Sequence, residues 1–506
     1  MRRELELKLE LSKSDVERLR GELPEDELGI GPPTRKKLRS IYFDTPEYDL
    51  HAAGISLRLR WQDGGWLQTV KADQHVDRGI SNPIELEAPV DREEPDLAKI
   101  ADKKIKRAVQ KAATGKTLKP VFETVVERTT RTIKAQGSEI ELAVDDGEIR
   151  TGDEAREVRE AELELKAGDV EGLLLAAEKL WAGHELKLST RSKAEHGYRL
   201  ALRKEGTSTE PEKARPVRIR CKDTCAKAFA AILLSATRQI LVNREVVLQT
   251  DDPNGAHQLR IGLRRLRSAL HALRPLVGPG SLRTFEGCAR DMGRCVGTLR
   301  DADVLISGIH APAEAAASDK AGFEELREVL AGERQRRRDD VRTALRRHAW
   351  TKLQLYLTLW PHTLDQNPRL EGSVIDDARK VLRKAWRKAA KLGRNLEKLN
   401  DEHRHEMRKA LKRLRYQAEF FAPLFAKRGT ERFIERLKKL QDIFGYTNDV
   451  RMAAKLIELR KQSPAEAAAA RAAGYAEGYH ETEAAHVWRQ AGGAWLDLKR
   501  AKRFWD

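Results

Sequence analysis

Two hydrophobic rhythms divide the chain. Up to about residue 204 apolar and polar positions alternate in short runs, and beyond Pro216 apolar residues recur every three to four positions almost throughout. Alternation places successive side chains on opposite faces of a strand, whereas the three-to-four spacing gathers them on one side of a helix. The first rhythm predicts strands over 40–43, 55–61, 66–71, 84–90, 140–144 and 161–165, with turns at Asp63-Gly64-Gly65 and Asp145-Asp146-Gly147. The stretch 205–217 has linker composition, so domains are expected over 1–204 and 218–506. Residues 465–494, rich in alanine and glycine, read as helical and peripheral.

The polar face of the strands is unusual. In the opening segment Glu4, Glu6 and Lys8 alternate with Leu5, Leu7 and Leu9. Ser56, Arg58 and Arg60 alternate with Ile55, Leu57, Leu59 and Trp61; Glu85 and Glu87 flank Leu86; Glu141 and Asp145 alternate with Ile140, Leu142 and Val144. One such strand is an ordinary amphipathic strand with a solvated face. Many strands with both signs of charge on one face predict a closed antiparallel barrel, charged inside and clad by helices outside. In such a tunnel basic side chains would clamp phosphate oxygens, and carboxylates from distant strands would bring in a divalent metal.

Charge is unevenly spread along the chain. Residues 1–204 carry 37 Lys+Arg against 40 Asp+Glu, whereas residues 205–506 carry 59 against 39. The C-terminal part is therefore expected to bind a polyanion: nucleic acid, an anionic membrane surface or a phosphate polymer. No charged-then-apolar leader and no apolar run long enough to span a bilayer is read in the sequence, so a cytoplasmic protein with no membrane partner is expected. Cys221, Cys225, Cys288 and Cys295 fall in segments read as helical, and are expected to be small buried groups rather than a zinc site.

The N-terminal segments resemble the CYTH domain, the triphosphate tunnel metalloenzymes. The resemblance rests on Glu4-Leu5-Glu6-Leu7-Lys8, Tyr42-Phe43-Asp44-Thr45-Pro46, Leu57-Arg58-Leu59-Arg60, Gln68-Thr69-Val70-Lys71, the glutamates at 160, 162 and 164, Ser192-Lys193 and Gly197-Tyr198. It implies an α+β domain built on an eight-stranded antiparallel tunnel that hydrolyses inorganic or organic triphosphates with Mg2+ or Mn2+. Carried over residue by residue, it implies that Glu4, Glu6, Glu162 and Glu164, with Asp145, hold the metal, and that Lys8, Arg58, Arg60, Lys71, Arg128 and Lys193 hold the phosphates. One departure is Pro83, where the family often has arginine; Arg78 is a nearby substitute. Proline can neither bind phosphate nor donate to a strand ladder.

The C-terminal part contains a repeat. His257-Gln258-Leu259-Arg260 through Arg267 matches His405-Glu406-Met407-Arg408 through Arg415 at an offset of 148, and Asp301 pairs with Asp449 at the same offset. Beside the apolar stripe of each copy runs a basic one: His257, Arg260, Arg264, Arg267, His271 and Arg274 in the first, and His405, Arg408, Lys412 and Arg415 in the second. A charge run on a helix is usually a solvated face, but these stripes lack the interspersed acids of an exposed helix. The repeated motif resembles the CHAD domain. That resemblance implies an all-α domain of duplicated antiparallel helical bundles, with His257, Arg260, Arg264, Arg267, His405, Arg408, Lys412 and Arg415 binding inorganic polyphosphate.

Taken together, the halves are expected to make a metal-dependent inorganic triphosphatase joined to a polyphosphate holder, in the cytoplasm and at polyphosphate granules. The sequence leaves inorganic triphosphate, thiamine triphosphate and nucleoside triphosphates open as substrates. Two rivals remain: a non-catalytic polyphosphate-binding protein, favoured by Pro83, and a nucleic-acid binder, disfavoured because aliphatic rather than aromatic residues accompany the basic stripes.

Overall fold

The structure is a computed structural model; it describes residues 5–23, 27–62, 64–72, 80–81, 84–189, 191–202, 210–278, 280 and 282–506. Glu4, Pro83 and Arg78, Asp63 of the first expected turn, and residues 205–209 of the expected linker lie outside the described residues. The chain divides into two compact units, one of residues 1–208 with 358–363, the other of 209–357 with 364–506.

The first unit is a single antiparallel sheet of strands β1 (Glu6–Glu10), β2 (Gly29–Ile30), β3 (Thr34–Asp44), β4 (Ile55–Gln62), β5 (Gly65–Ala72), β6 (Ile80–Ser81), β7 (Ile84–Val90), β8 (Lys119–Ala135), β9 (Ser138–Thr151), β10 (Glu154–Ala167) and β11 (Lys187–Leu188). Eight of them follow one another in the order β1-β10-β9-β8-β3-β4-β5-β7. The circuit returns on itself because β6, just before β7 in the chain, pairs with β1 through Glu6 and Leu7. Closure removes the free edges that an open sheet would expose.

Leu7, Leu9, Leu142, Ala161 and Leu163 form the outward apolar face and are buried. The unit's helices are α1 (Lys13–Arg20), α2 (Asp49–Ala52), α3 (Lys103–Ala112), α4 (Val170–Leu180) and α5 (Lys193–Ala201); α4 lies on β8, β9 and β10, and α5 packs through Ala194 and Tyr198 on the inward-facing Tyr42, Phe122 and Val126. Ile105 and Val109 of α3 join Ile41, Leu57, Leu59 and Val70 in one cluster. At roughly 25 cal/mol per Å² of apolar surface, each large side chain in such a cluster contributes about 1.5–3 kcal/mol before its ordering cost is subtracted.

The expected turn at 145–147 is a correction. These residues run through the middle of β9, paired with β8 and β10 on both sides. Gly147 serves close approach rather than a turn, since a Cβ there would lie 2.1 Å from the Val125 carbonyl oxygen. Asp145 thereby points from a strand instead of capping a hairpin.

The second unit is helical: α6 (Cys225–Gln249), α7 (Pro253–Val277), α8 (Arg283–Val304), α9 (Ala311–Ala316), α10 (Phe323–Ala344), α11 (His348–Leu359, whose last two residues group with the first unit), α12 (Val374–Leu392), α13 (Asp401–Phe421), α14 (Lys427–Asp449), α15 (Ala453–Leu459), α16 (Glu466–Trp488) and α17 (Ala491–Arg500). The offset of 148 carries α6, α7, α8 and α10 onto α12, α13, α14 and α16, so the duplication spans four helices per copy. The copies meet where α7 packs on α13. Gly262 lets α7 approach α6, for a Cβ there would fall 2.8 Å from Ile240.

Four further expectations change. Helix α6 is long and apolar enough to cross a membrane by length and composition; 61% of its most apolar window is buried within the protein, as in a core helix. Residues 465–494 are helical but not peripheral: Ala469, Ala472, Ala473 and Ala476 of α16 pack with Phe323, Leu326 and Leu330 of α10. Of the cysteines, Cys221 is exposed and precedes α6, Cys225 is buried, and Cys288 and Cys295 are half-buried. Finally, residues from Glu210 on do not behave as a free linker. The Glu212 carboxylate pairs with Arg238 at 2.6 Å, and the Asn243 amide donates to the Glu212 carbonyl at 2.8 Å.

Candidate functional site

In the first unit the register sets the site. Arg128 of β8 lies opposite Asp145 of β9, Asp145 opposite Glu160 of β10, and Glu162 of β10 opposite Lys8 of β1. Alternation sends these side chains to the barrel interior, and they meet there. Arg128 grips Asp145 with two hydrogen bonds of 2.7 and 2.6 Å and donates a third to Glu162 at 2.8 Å. The Lys8 ammonium lies between Glu162 at 2.6 Å and Glu6 at 2.8 Å.

Lys193 reaches the same network from a helix. Ser192 caps α5, its hydroxyl accepting from the Glu195 N–H, and Gly197 lets α5 lie against the Phe122 ring, where a Cβ would intrude to 2.1 Å. So seated, the Lys193 ammonium is 2.9 Å from Asp145, 2.7 Å from Glu160 and 2.9 Å from Glu162.

Burial pushes the buried carboxylates toward the neutral form, but Lys193 and Arg128 outweigh it for Asp145, and Lys193 and Lys8 for Glu162, so both titrate below the ordinary range. Burial likewise opposes the charge on Lys8, Lys193 and Arg128. The neighbouring carboxylates prevail, Glu162 foremost for Lys8 and Asp145 for Lys193 and Arg128, and all three are held above their usual values. Glu160 is the exception: it is 2% exposed, and burial raises it.

A second group lines the β4, β5 and β7 wall. Glu85 accepts from Lys71 at 2.6 Å and lies 3.4 Å from Arg58. Arg60 donates to the Ser40 hydroxyl at 3.1 Å, and the neighbouring Arg58, then burial, lowers it to about 10. Glu164 pairs with Lys166 at 2.6 Å. The structure thus brings Lys8, Glu6, Glu162, Asp145, Arg128 and Lys193 into one cluster, and Arg58 and Lys71 into another with Glu85. Glu160 and Glu85 received no role from the sequence, although their strand parity with Glu162 and their register opposite Lys71 are the signals that find them.

Among the described residues, no three His, Cys, Asp or Glu side chains stand at metal-ligating spacing. The donor chemistry nevertheless suits a hard divalent cation. Glu6 and Glu164 are cross-strand partners, and Glu6 and Glu162 already share one cation, the Lys8 ammonium.

In the helical unit the two basic stripes meet at the crossing of α7 and α13. Arg260 donates to Asp301 at 2.7 Å, and its repeat counterpart Arg408 lies 3.4 Å from Asp449. Between these pairs the charges are of one sign. Burial first, then Arg264 and Arg408, lower Lys412 to about 6, and burial with Arg260 brings Arg264 to about 10. His257 is held near 4 by burial and by Arg300, Arg264 and Arg260, so it is neutral at pH 7. Arg300 was missed because its repeat counterpart is Asn448.

Three expected members stand apart. Arg267 is exposed and feels Arg290 and Arg294 of α8. Arg415 stacks over the Tyr416 ring at 5.0 Å and approaches Glu419 at 3.6 Å. His405 is exposed and lines a pocket of about 100 Å³ with Arg404, Arg408 and Asn448.

Fold and site together define a charged antiparallel tunnel domain joined to a duplicated helical domain with a cationic crossing. Residues 2–198 match the CYTH domain and residues 231–458 the CHAD domain, so the chain carries a CYTH domain followed by a CHAD domain. It is 31% identical over 166 residues to the inorganic triphosphatase of Haemophilus influenzae, 32% of this chain and 46% of that protein, so the match spans less than half of the relative. An uncharacterized protein of Mycobacterium tuberculosis is 25% identical over 444 residues, 82% of this chain and 80% of its own length. The crystal structure of the CHAD domain from Ricinus communis superposes with a TM-score of 0.51 at 29% identity, covering 58% of this chain and 98% of that one.

Proposed function

We propose that the tunnel hydrolyses the terminal anhydride of inorganic triphosphate, and that the helical domain binds inorganic polyphosphate. The observation that carries the first reading is the interior network of Lys8, Arg128 and Lys193 on Glu162 and Asp145 within a closed barrel. Three cations held together by carboxylates are poised to exchange those carboxylates for phosphate oxygens, at little reorganisation cost. Arg58, Arg60 and Lys71 extend the cationic wall, so a chain of phosphates has donors along its length. Glu6, Glu162 and Glu164 would hold Mg2+ or Mn2+, which would supply neutralisation of the charge that develops on the phosphoryl oxygens.

The second reading rests on the like-charged crossing of α7 and α13. Arg260, Arg264 and Arg408 hold positive charge in a partly desolvated place, where it lowers the proton affinity of His257 and Lys412 and where a polyanion relieves the repulsion. The aromatic ring beside Arg264 and Arg408, Tyr416, is buried at 3% exposure and offers no open face to a base, which favours a bare phosphate chain over nucleic acid.

Phosphate release from tripolyphosphate, thiamine triphosphate and ATP, each with Mg2+, with Mn2+ and with chelator, tests the enzymatic reading. The expected result is metal-dependent release, fastest from tripolyphosphate. No release from any of the three under any metal condition would overturn the enzymatic reading and leave the binding ones.

A further inference from the structure

The duplication offers an internal control. Arg265 of α7 and Arg413 of α13 are counterparts at the offset of 148, and so are residues 271 and 419. In one half of the crossing Arg265 reaches to Glu419 at 3.4 Å, an arginine meeting its carboxylate. In the other half Arg413 reaches across in the same way and meets the imidazole of His271 at 3.2 Å. The repeat has kept the cation and lost its counter-ion.

The surroundings deepen the deficit. A pocket of about 130 Å³ opens there, with His271, Arg413, Lys384 and Lys388 around it and Ala272, Ala385 and Ala410 among its apolar lining. Lys384 and Lys388 are exposed on α12, and among the described residues no carboxylate pairs with them or with Arg413. Glu406 is the acid nearest in effect to Arg413, and it is paired with Lys409. Burial, then Arg413, Arg274, Lys384 and Lys388, hold His271 near 4, so its Nε2 accepts from Arg413. Gln417 also lines the pocket; it is 2% exposed, and its side-chain oxygen Oε1 is buried without a donor.

We infer that this pocket between α7, α12 and α13 is a second anion site, built for a small phosphate anion that still carries a proton, such as hydrogenphosphate. Its anionic oxygens accept from Arg413, Lys384 and Lys388, standing where Glu419 stands in the other half. Its hydroxyl donates to Gln417 Oε1, a buried acceptor that a fully deprotonated anion leaves unsatisfied. The site is separate from the cationic crossing and does not depend on the function proposed for it.

Equilibrium dialysis of the full chain with labelled orthophosphate, with sulfate as competitor at matched ionic strength, tests the inference. The double variant Lys384→Ala with Lys388→Ala, both surface positions, removes two charged donors and is expected to bind at least about tenfold more weakly, the scale of losing even one of them. His271→Glu restores the carboxylate of the other copy, so it should abolish this binding and melt higher than wild type in phosphate-free buffer. Sulfate should compete poorly, having no proton for Gln417. Equal binding by wild type and both variants overturns the inference, as does sulfate displacing phosphate one for one. Loss of binding in Arg260→Glu with Arg264→Glu alone also overturns it, because the phosphate would then occupy the crossing.

Discussion

The tunnel and the helical crossing both concentrate positive charge, and they manage it oppositely. In the tunnel's central cluster Lys8, Lys193 and Arg128 each have a carboxylate within 3 Å, and the pairs hold one another in their charged forms: Lys8 on Glu162, Lys193 on Asp145 and Arg128 on both. At the crossing Arg264, Lys412 and His257 face other cations, and their affinity for protons falls. Compensated charge gives a rigid site that exchanges partners, whereas uncompensated charge gives a surface that gains from any polyanion reaching it. The first suits positioning for chemistry, and the second suits holding a long chain.

The sharpest way to break this contrast is to remove the hub of the tunnel. Glu162→Gln keeps size and strand register but leaves Lys8, Arg128 and Lys193 short of one shared partner. Triphosphate turnover should fall at least about 100-fold, the scale on which a positioned electrostatic contact acts in catalysis. Polyphosphate binding measured on the same sample should stay as in wild type. Turnover within twofold of wild type, about the noise of such assays on this scale, would remove Glu162 from the site.

The converse experiment is charge reversal at the crossing. Arg260→Glu with Arg264→Glu should weaken long-chain polyphosphate binding by roughly ten- to a hundredfold and flatten its dependence on salt, since fewer counter-ions are released. Tripolyphosphate hydrolysis should be unchanged. Duplex DNA is the control, and DNA binding as tight as polyphosphate at matched salt would replace the polyphosphate reading with a nucleic-acid one.

A smaller effect distinguishes the halves by pH. Asp145 and Glu162 titrate below their unfolded values, so their contribution is present above about pH 4 and is lost as pH falls through their folded values. Lys412 is the reverse kind of shift. Its folded value of about 6 lies below the unfolded value near 10.5, so the unfolded chain binds the extra proton between them, and the ligand-free helical domain gains stability as pH rises through that window. Calorimetric scans of the full chain should show the tunnel transition dropping in acid and the helical one rising from pH 6 to 9. Polyphosphate binding at pH 7 should take up protons, read as a dependence of the binding heat on buffer ionisation. Zero uptake would mean that Lys412 is already charged.

Strand parity made much of the tunnel legible in the sequence. Glu6, Lys8, Arg58, Arg60 and Glu162 share a face because side chains two apart must do so. What parity could not supply was partnership: that Lys193, on a helix, inserts beside Asp145 and Glu160 follows from the packing of Gly197 against Phe122. Asp145-Asp146-Gly147 misled because its composition is that of a turn, while the close approach of two strands asks for the same glycine. In the helices the repeat fixed the counterparts, but a stripe at helical spacing winds past its contact. Arg267 and Arg415 continue the pattern away from the shared cluster although α7 and α13 still meet at Arg265–Glu419 and His271–Arg413, and Arg300 enters from a third helix with no basic counterpart to announce it.

The pairing of β1 also bears on how the chain comes to be folded. Lys8 and Glu162 are 154 residues apart in sequence, and β1 also pairs with β6 and, through Leu9, with Leu188 of β11. A wall that needs such distant segments must close a long loop before any contact rewards it, so the barrel is slow to complete. During synthesis Leu9 of β1 must wait for its partners on β10 and β11, which are made long after it. The helical repeats are free of this constraint: α6, α7 and α8 pack with their sequence neighbours as soon as each is made. A strand made so long before its partners finds its place late, and its waiting edge is where a chaperone or a misfolded partner has its opportunity.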